Sequence, residues 1–278
     1  MNNNKSINSS SLKKCLEECG IVSGDTILVH SNLFVMGPVQ GNNILETYFN
    51  AIKDVLGSDG TIAVPSYFYE YGRWATPFDI KQSPVSKELG AFSNYVNELK
   101  ESFRSQNPLT AISAIGTNAE FICCSGAGSS FGIDTPWDQL IKCNAKMVFI
   151  GIDLVAMTFI HFVEYMVGVP HIYNKYYRIP VLMDGNKTDN PISAQVRYRD
   201  FDINYDLKKL TPDFEKAGLI KTVSLGRGKI RVVSFKSAFY FLKEQLKKDF
   251  FYLLKSPPKF IQGEIPMDSP TGPRKPET

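Results

Sequence analysis

The sequence predicts an α/β fold in which helices flank a mostly parallel central sheet. Three observations lead to this prediction. Short apolar runs such as Thr26–His30 and Lys146–Ile152 have the length and composition of buried strands. Segments with apolar residues at helical spacing, such as Asn43–Leu56, alternate with these runs. Strands that are apolar throughout and alternate with helices are typical of a largely parallel sheet covered on both faces.

The elements follow one another in a regular order as far as residue 167. Serine begins the first helix and Gly20 ends it, since serine caps helix starts and glycine terminates helices. A turn at residues 57–60 separates the second helix from the second strand. The predicted helices are Ser11–Cys19, Asn43–Leu56, Gly90–Leu99 and Met157–Val167, and the predicted strands are Thr26–His30, Thr61–Val64, Ala111–Ile115 and Lys146–Ile152.

The C-terminal third has a different pattern, which predicts an α+β hairpin subdomain over about residues 178–255. One hairpin is expected to join Arg178–Met183 to Ile192–Tyr198, and a second is expected to turn at Gly226–Gly228. The helices expected in this part are Asp213–Leu219 and Ser237–Leu254.

The two ends of the chain differ from its middle in composition. Residues 1–9 are rich in asparagine and serine, and residues 256–278 are rich in proline and poor in core residues. We therefore expect flexible ends on either side of a single domain over residues 10–255. The chain has 278 residues, 43% of them apolar, which is enough for a packed core.

Charge and cysteine content exclude several classes of protein. A net charge of +3, from 31 basic and 28 acidic residues, argues against a dedicated nucleic-acid-binding protein. No apolar run approaches the roughly 18 residues of a membrane span, and the polar N-terminus lacks the apolar segment of a secretory signal. The five cysteines are odd in number and include no CxxC pair. This pattern predicts a reducing, cytoplasmic location, with neither a disulfide framework nor a metal site.

His161 is the leading candidate for a catalytic group. Glu164 follows it by one helical turn, so both side chains lie on one helix face. A histidine oriented by a carboxylate is a typical general base near neutral pH, although the same spacing suits a core histidine beside an exposed glutamate. The helix directly follows the strand Lys146–Ile152, and ligands bind at the carboxyl ends of strands in open α/β sheets. This position favours the interpretation of His161 as a general base.

His30 has a similar setting, since it ends a strand and is followed by Ser31 and Asn32. Serine and asparagine begin helices, and helix N-termini bind anions, but a simple capped turn fits equally well. Motifs of other enzyme classes are missing, because the sequence contains no GxSxG elbow, no P-loop and no GxGxxG after a strand. A hydrolase with a nucleophilic side chain is therefore disfavoured.

Taken together, several segments resemble the aminoglycoside 3-N-acetyltransferase family, which is distinct from the common GNAT acetyltransferases. The resemblance extends from about residue 10 to about residue 245. Each motif alone is weak, whereas their order and intervals together are specific. The motifs are Val29–Leu33, Gly60–Pro65, Arg104–Pro108 with Gly116, Phe131–Trp137, Thr158–Glu164, Val196–Asp202 and Gly226–Gly228.

The resemblance implies direct transfer of an acyl group from acetyl-CoA to an amine, without a metal and with His161 as the general base. It implies that Asp200 orients this histidine, with Asp202 as the alternative in register. Glu164 matches the family's motif glutamate, and it either holds the ammonium of the acceptor or supports the histidine. The CoA-binding residues that it implies are His30, Ser31, Asn32, Leu33, Asn107, Thr110, Ser113 and Thr158.

Two residues depart from the family's pattern. Asn107 stands where the family usually has a histidine before the proline, and Ala111 stands where it often has a serine or threonine. Either Thr110 and Ser113 replace these contacts to the pantetheine chain, or the acyl pocket differs.

The acceptor is expected to contact Tyr67, Glu70, Arg73, Trp137 and Glu164. Aromatic rings stack on sugars and an arginine can bind phosphate, whereas polycationic aminoglycosides need an acidic cleft. These features favour an amino sugar carried on a nucleotide and used in surface-polysaccharide synthesis, unless the aromatic residues serve only in packing. The alternatives are an aminoglycoside-resistance enzyme and a non-catalytic protein that binds CoA or a sugar. The oligomeric state, a homodimer included, is left open.

Overall fold

A seven-stranded central sheet dominates the fold. The computed structural model describes residues 6–125, 128–188, 191–198 and 201–260. In chain order the strands are β1 (Thr26–Ser31), β2 (Thr61–Pro65), β3 (Phe78–Asp79), β4 (Phe103–Arg104), β5 (Ile112–Gly116), β6 (Lys146–Ile150), β7 (Ile172–Tyr177), β8 (Val181–Met183), β9 (Asn186–Lys187), β10 (Ile192–Arg197), β11 (Ile220–Leu225) and β12 (Gly228–Ser234).

The central sheet has the strand order β11-β12-β6-β1-β2-β5-β4. Strand β1 lies at its centre and pairs in parallel with both β2 and β6. The outer strands pair antiparallel with their neighbours. The predicted α/β class is confirmed, with the parallel pairings at the centre of the sheet. The carboxyl ends of β1, β2 and β6 meet at one edge, where open α/β sheets bind ligands.

Helices cover both faces of this sheet, as its apolar strands require. They are α1 (Ser9–Glu18), α2 (Leu33–Met36), α3 (Ile44–Leu56), α4 (Glu70–Trp74), α5 (Ala91–Asn97), α6 (Ala119–Cys123), α7 (Pro136–Lys142), α8 (Phe159–Val167), α9 (Leu210–Lys216) and α10 (Phe235–Lys248). Side chains of β1 alternate between the faces, because Ile27 and Val29 pack with α1, α3 and α5 while Leu28 packs with α6, α7, α8 and α10. The result is two apolar cores, one on each face.

The C-terminal third is joined to the central sheet. The hairpin predicted around Gly226–Gly228 is present as β11 and β12, and β12 pairs antiparallel with β6. The other predicted hairpin has a different register. Strand β10 pairs with β7, not with Arg178–Met183, while β8 pairs with β3 and β9. Strand β10 is therefore held by β7.

Residues 6–9, predicted to be flexible, belong to the packed domain. Ile7 is 2% exposed, and its amide donates to the Pro38 carbonyl at 2.8 Å. Helix α1 begins two residues earlier than predicted, because the Asn8 side chain caps it by accepting from the Ser11 amide. The five cysteine side chains are free. Among the described residues, none of the helices combines the length and apolar character needed to cross a membrane.

Candidate active site

Two cavities open at the carboxyl edge of the parallel strands and meet at His161. The large cavity has a volume of about 810 Å³, and the small cavity has a volume of about 260 Å³. The residues that line both are Tyr67, Tyr69, Thr158 and His161. A group bound in either cavity can therefore reach the same histidine.

The cavities have walls of different character. The small cavity is lined by His30 and Ser31 at the end of β1 and by apolar side chains of the segment between β6 and α8, such as Val155 and Met157. The large cavity is lined mainly by β10 and by residues 201–205, with tyrosine, threonine and amide side chains. The small cavity thus suits a slim chain with both apolar and polar groups, and the large cavity suits a polar molecule of several rings.

Helix α8 places His161 at the junction. The helix follows β6 after a short turn and ends at Gly168, whose φ of 77° is the left-handed conformation that glycine adopts readily. The His161 side chain is 36% exposed and faces the cavities, whereas the Glu164 side chain, one turn later, is 0% exposed. The helix therefore presents the histidine to ligands and keeps its carboxylate partner in the interior.

Glu164 is the centre of a buried hydrogen-bond network. Its Oε2 lies 2.7 Å from Nδ1 of His161, and its Oε1 lies 3.0 Å from Nε2 of His171. The Tyr205 hydroxyl lies 3.0 and 2.9 Å from the two carboxylate oxygens. In the described part of the chain, no group of three or more histidine, cysteine or acidic side chains has an arrangement that could hold a metal ion.

The protonation of this network follows from its geometry. Burial raises the pKa of Glu164, but the hydrogen bonds from His161 and His171 outweigh burial and bring the pKa down to about 2. The carboxylate is thus ionised at neutral pH and can only accept hydrogen bonds. Nδ1 of His161 must then carry the hydrogen that faces Glu164, a tautomer assigned from the network. Neutral His161 is left with its lone pair on Nε2, which is the requirement for a general base.

His30 is the second histidine at the cavities. It is 5% exposed and stacks on Phe149 with 5.1 Å between ring centroids. Burial lowers the pKa of His30 to about 4, so the ring is neutral at pH 7. Its Nε2 has no hydrogen-bond partner among the described residues.

We expect His30→Phe to reduce the loss of stability on acidification. The unfolded chain gains a proton at His30 near pH 6.5, whereas the folded chain gains it only near pH 4. The free energy of unfolding therefore falls as the pH falls through this window. Between pH 7 and pH 5 the loss at this site is roughly 2 kcal/mol. Urea denaturation of wild type and His30→Phe at pH 7 and pH 5 measures this loss of unfolding free energy. Equal losses in the two proteins would show that His30 is not buried as described.

The residues predicted to bind CoA fall into two groups. His30, Ser31 and Thr158 line the small cavity, and Thr110 lines the large one. The remaining four do not contribute to either lining and are Asn32, Leu33, Asn107 and Ser113. Asn32 is exposed ahead of α2, and Leu33 packs in the core beside α1 and α3.

Asn107 and Ser113 have partners within the protein instead. The buried Asn107 amide donates to the carbonyls of Gly128 at 2.8 Å and Ser193 at 2.9 Å. It thereby ties the loop before α7 to β10. Ser113 is 0% exposed and donates to Oδ1 of Asn97 at 2.7 Å. These contacts account for both residues without a ligand.

Two aromatic residues predicted to bind the acceptor have different positions. Tyr67 lines both cavities. Trp137 is 0% exposed, and its Nε1 donates to the Thr110 carbonyl at 3.3 Å. The apolar face of α7 buries it in the core, so the predicted acceptor contact is corrected to a packing role.

Glu70 and Arg73 lie on α4, outside the linings of both cavities. The Glu70 carboxylate accepts from the Ser86 hydroxyl at 3.1 Å. Arg73 pairs with Glu88 at 2.5 Å and lies over the Tyr69 ring at 4.8 Å. The guanidinium expected to meet a phosphate is thus already neutralised by a neighbouring carboxylate.

Asp200, predicted to orient His161, lies outside the described residues. Asp202, the alternative, lines the large cavity and accepts a hydrogen bond from the Asn204 side chain. Within the described ranges, the carboxylate bonded to His161 belongs to Glu164.

Sequence reasoning did not identify His171 and Tyr205. His171 carried one available signal, because it is one of three histidines in the chain. Tyr205 carried none, since its approach to Glu164 depends on the tertiary path of the chain. The Tyr205–Leu254 bridge holds its segment in place.

A family model described as aminoglycoside 3-N-acetyltransferase matches residues 28–247. Aminoglycoside N(3)-acetyltransferase III of Pseudomonas aeruginosa is 23% identical over 230 residues, with 74% of this chain and 81% of the relative covered. Aminoglycoside N(3)-acetyltransferase VII of Streptomyces paromomycinus is 24% identical over 226 residues, with 74% and 76% covered.

Solved structures share the fold. The apoenzyme of aminoglycoside acetyltransferase AAC(3)-IVa superposes with a TM-score of 0.74 at 22% identity, with 92% of this chain and 95% of that chain covered. AAC-IIIb in binary complex with CoASH gives a TM-score of 0.76 at 20% identity, with 91% and 100% covered.

Proposed function

Because the chain belongs to the aminoglycoside 3-N-acetyltransferase family, we propose that it acetylates an amine of an aminoglycoside, with His161 as the general base. The family model spans residues 28–247, which is well over half of the chain. The resemblance seen in the sequence is thereby confirmed, and the chain is an N-acetyltransferase with acetyl-CoA as its co-substrate. The observation that carries the proposed roles is the pairing of His161 with Glu164 where two cavities meet.

In this proposal each cavity binds one of the two substrates. The small cavity takes the thioester end of acetyl-CoA, because it is narrow and its walls combine apolar side chains with the hydroxyl groups of Ser31 and Thr158, which suits a pantetheine arm. The large cavity takes the acceptor, because its size and polar groups suit a sugar with several rings. Holding both substrates at His161 removes much of the entropic barrier to their reaction.

The reaction is a single transfer. The acceptor reacts as the neutral amine, after its ammonium group has released one proton to solvent. Its nitrogen attacks the thioester carbonyl and gives a second proton to Nε2 of His161. A C–N bond forms, the C–S bond breaks, and the departing thiolate takes the proton from His161. The ionised Glu164 keeps the histidine in the required tautomer and stabilises the imidazolium while it exists. No acyl-enzyme is needed on this route.

An aminoglycoside is a better-supported acceptor than the nucleotide-linked amino sugar that the sequence favoured. The curated relatives are named aminoglycoside N(3)-acetyltransferases. A phosphate-bearing acceptor would need Arg73, whose guanidinium is paired with Glu88 and lies outside both cavity linings. The proposal places the enzyme in the cytoplasm, which suits its free cysteines.

The charge of the large cavity narrows the choice of aminoglycoside. Among the described lining residues, Asp202 is the one carboxylate and Arg197 is the one guanidinium. A strongly cationic ligand binds best where several acidic groups complement it. We therefore propose that the preferred acceptors carry few ammonium groups.

Thiol release from acetyl-CoA, measured with two acceptor panels, tests this proposal. One panel holds aminoglycosides that differ in their number of amino groups, and the other holds nucleotide-linked amino sugars. We expect turnover with aminoglycosides, with kcat/KM falling as the number of ammonium groups rises. Turnover confined to the nucleotide-linked panel would overturn the proposed acceptor while leaving the acetyltransferase activity intact.

A further inference from the structure

We propose that His171 is a positioning residue for the reaction, because its Nε2–H fixes the Glu164 carboxylate against His161. The inference rests on the proposed function for its kinetic readout. His171 itself does not line either cavity where the structure describes them, so it acts through Glu164 alone.

The chain returns His171 to Glu164 by a tight turn at the end of α8. Gly168 donates its amide to the Glu164 carbonyl at 2.9 Å, and Val169 donates to the same carbonyl at 3.3 Å. The chain reverses there, and the His171 side chain reaches the carboxylate of the residue seven positions earlier. His171 is 0% exposed and packs against Phe251, with 5.9 Å between ring centroids. Its ring is therefore held in one orientation.

Each oxygen of the Glu164 carboxylate faces a different histidine. Oε2 of Glu164 faces His161 at 2.7 Å, and Oε1 faces His171 at 3.0 Å. An ionised carboxylate accepts only, so the Nε2 that faces it carries a hydrogen. Tyr205 donates between the two oxygens and does not by itself select either one. The contact from His171 is what fixes the rotation of the carboxylate.

Loss of this donor has a chemical consequence at His161. A buried carboxylate that loses a hydrogen bond retains its desolvation cost and, without the donor on Oε1, can rotate about its Cγ–Cδ bond. Oε2 then no longer holds the Nδ1–H of His161 in one place, and the population with a free Nε2 falls. The expected effect is on the chemical step, since the cavity walls are unchanged.

The kinetic test compares His171→Leu with His171→Gln. Glutamine places an amide N–H close to the position of Nε2, whereas leucine fills the space without a donor. We expect His171→Leu to lower kcat roughly 10- to 100-fold, by analogy with the range measured when the hydrogen-bond partner of a metal-bound histidine is removed. We expect His171→Gln to stay within about 3-fold of wild type on the same grounds. The KM for acetyl-CoA should be unchanged in both variants.

Three outcomes would overturn the proposal: wild-type kcat in His171→Leu, equal losses in the leucine and glutamine variants, or a change confined to KM. If His171→Leu does not fold, His171→Asn replaces it, because its shorter side chain places the amide away from Oε1. Recovery of kcat by glutamine but not by asparagine then supports the proposal, and equal values contradict it.

Nitrogen NMR of the three imidazoles supplies a readout that needs no acceptor. We expect wild type and His171→Gln to hold His161 as the Nδ1–H tautomer, and His171→Leu to give a mixture of tautomers. An unchanged His161 tautomer in His171→Leu would overturn the role of His171 even if no acceptor is found. Absence of wild-type turnover, by contrast, would count against the proposed function alone.

Discussion

His161→Gln is expected to lower kcat for acetyl transfer by roughly 10²- to 10⁴-fold, the usual contribution of a positioned general base. Glutamine preserves the polarity of the site but cannot take a proton from the attacking amine. His161 is the described residue that faces both cavities with an unprotonated nitrogen fixed by a buried carboxylate. Steady-state thiol release at saturating substrates measures the change.

Acetyl-CoA affinity is the control for this variant. Because the small cavity is bounded mainly by other side chains, the Kd for acetyl-CoA measured by calorimetry should stay within about 3-fold of wild type, a change of well under 1 kcal/mol. A kcat close to wild type would exclude His161 as the base, and a lost affinity with an intact kcat would make it a binding residue.

Glu164→Gln is expected to have an effect of similar size, again roughly 10²- to 10⁴-fold on kcat. Three donors converge on the carboxylate, from His161, His171 and Tyr205. Glutamine offers them one oxygen, and its amide N–H₂ must face one of them. Where it faces His161, it forces the imidazole hydrogen onto Nε2, so the base can no longer accept a proton. The negative charge that stabilises the imidazolium is lost as well.

A matched control for this substitution is Glu244→Gln on α10. Glu244 is exposed and pairs with Lys247 at 3.6 Å, far from the site in sequence and outside both cavity linings. Glu244→Gln should leave kcat unchanged. If Glu164→Gln also retained wild-type kcat, the orienting carboxylate would have to come from elsewhere, and Asp200 would be the next residue to substitute.

The part of the site that the sequence predicted is the part set by local geometry. His161 and Glu164 lie three residues apart on one helix, so their contact follows from helical spacing. The helix follows a central strand, which places it at the binding edge of the sheet. His171 and Tyr205 reach the same carboxylate through a turn at Gly168 and a bridge to Leu254. Such approaches depend on tertiary structure, and nothing in the local pattern indicates them.

Aromatic and charged residues near the site were predicted less well, since side-chain type does not reveal which face an element buries. Trp137 follows a proline at the start of α7 and packs inward because that helix lies on the core. Arg73 is predicted to be a phosphate ligand, but in the structure its guanidinium pairs with Glu88. Both errors concern residues whose partners come from another element.

The strand pairing in the C-terminal third could not be predicted for a similar reason. Strand β7 has the sequence IYNKYY, in which polar Asn174 and Lys175 interrupt any apolar alternation. No strand is predicted there, and Ile192–Tyr198 is instead paired with Arg178–Met183. In the structure β10 pairs with β7 along its whole length, from Ile192 to Arg197. Tyrosine-rich edge strands of this kind are stabilised by cross-strand contacts, which sequence alone does not reveal.

The measurement that tests the central claim most directly is the stoichiometry of the products. The enzyme is supplied with acetyl-CoA and the best acceptor of the aminoglycoside panel, and both the free thiol and the mass of the acceptor are followed. The account predicts one N-acetylated acceptor for each thiol released, and no acetylated enzyme at any time. Thiol release without an acetylated amine would identify a hydrolase, and a stable acetyl-enzyme would replace direct transfer to a base-activated amine with a covalent mechanism.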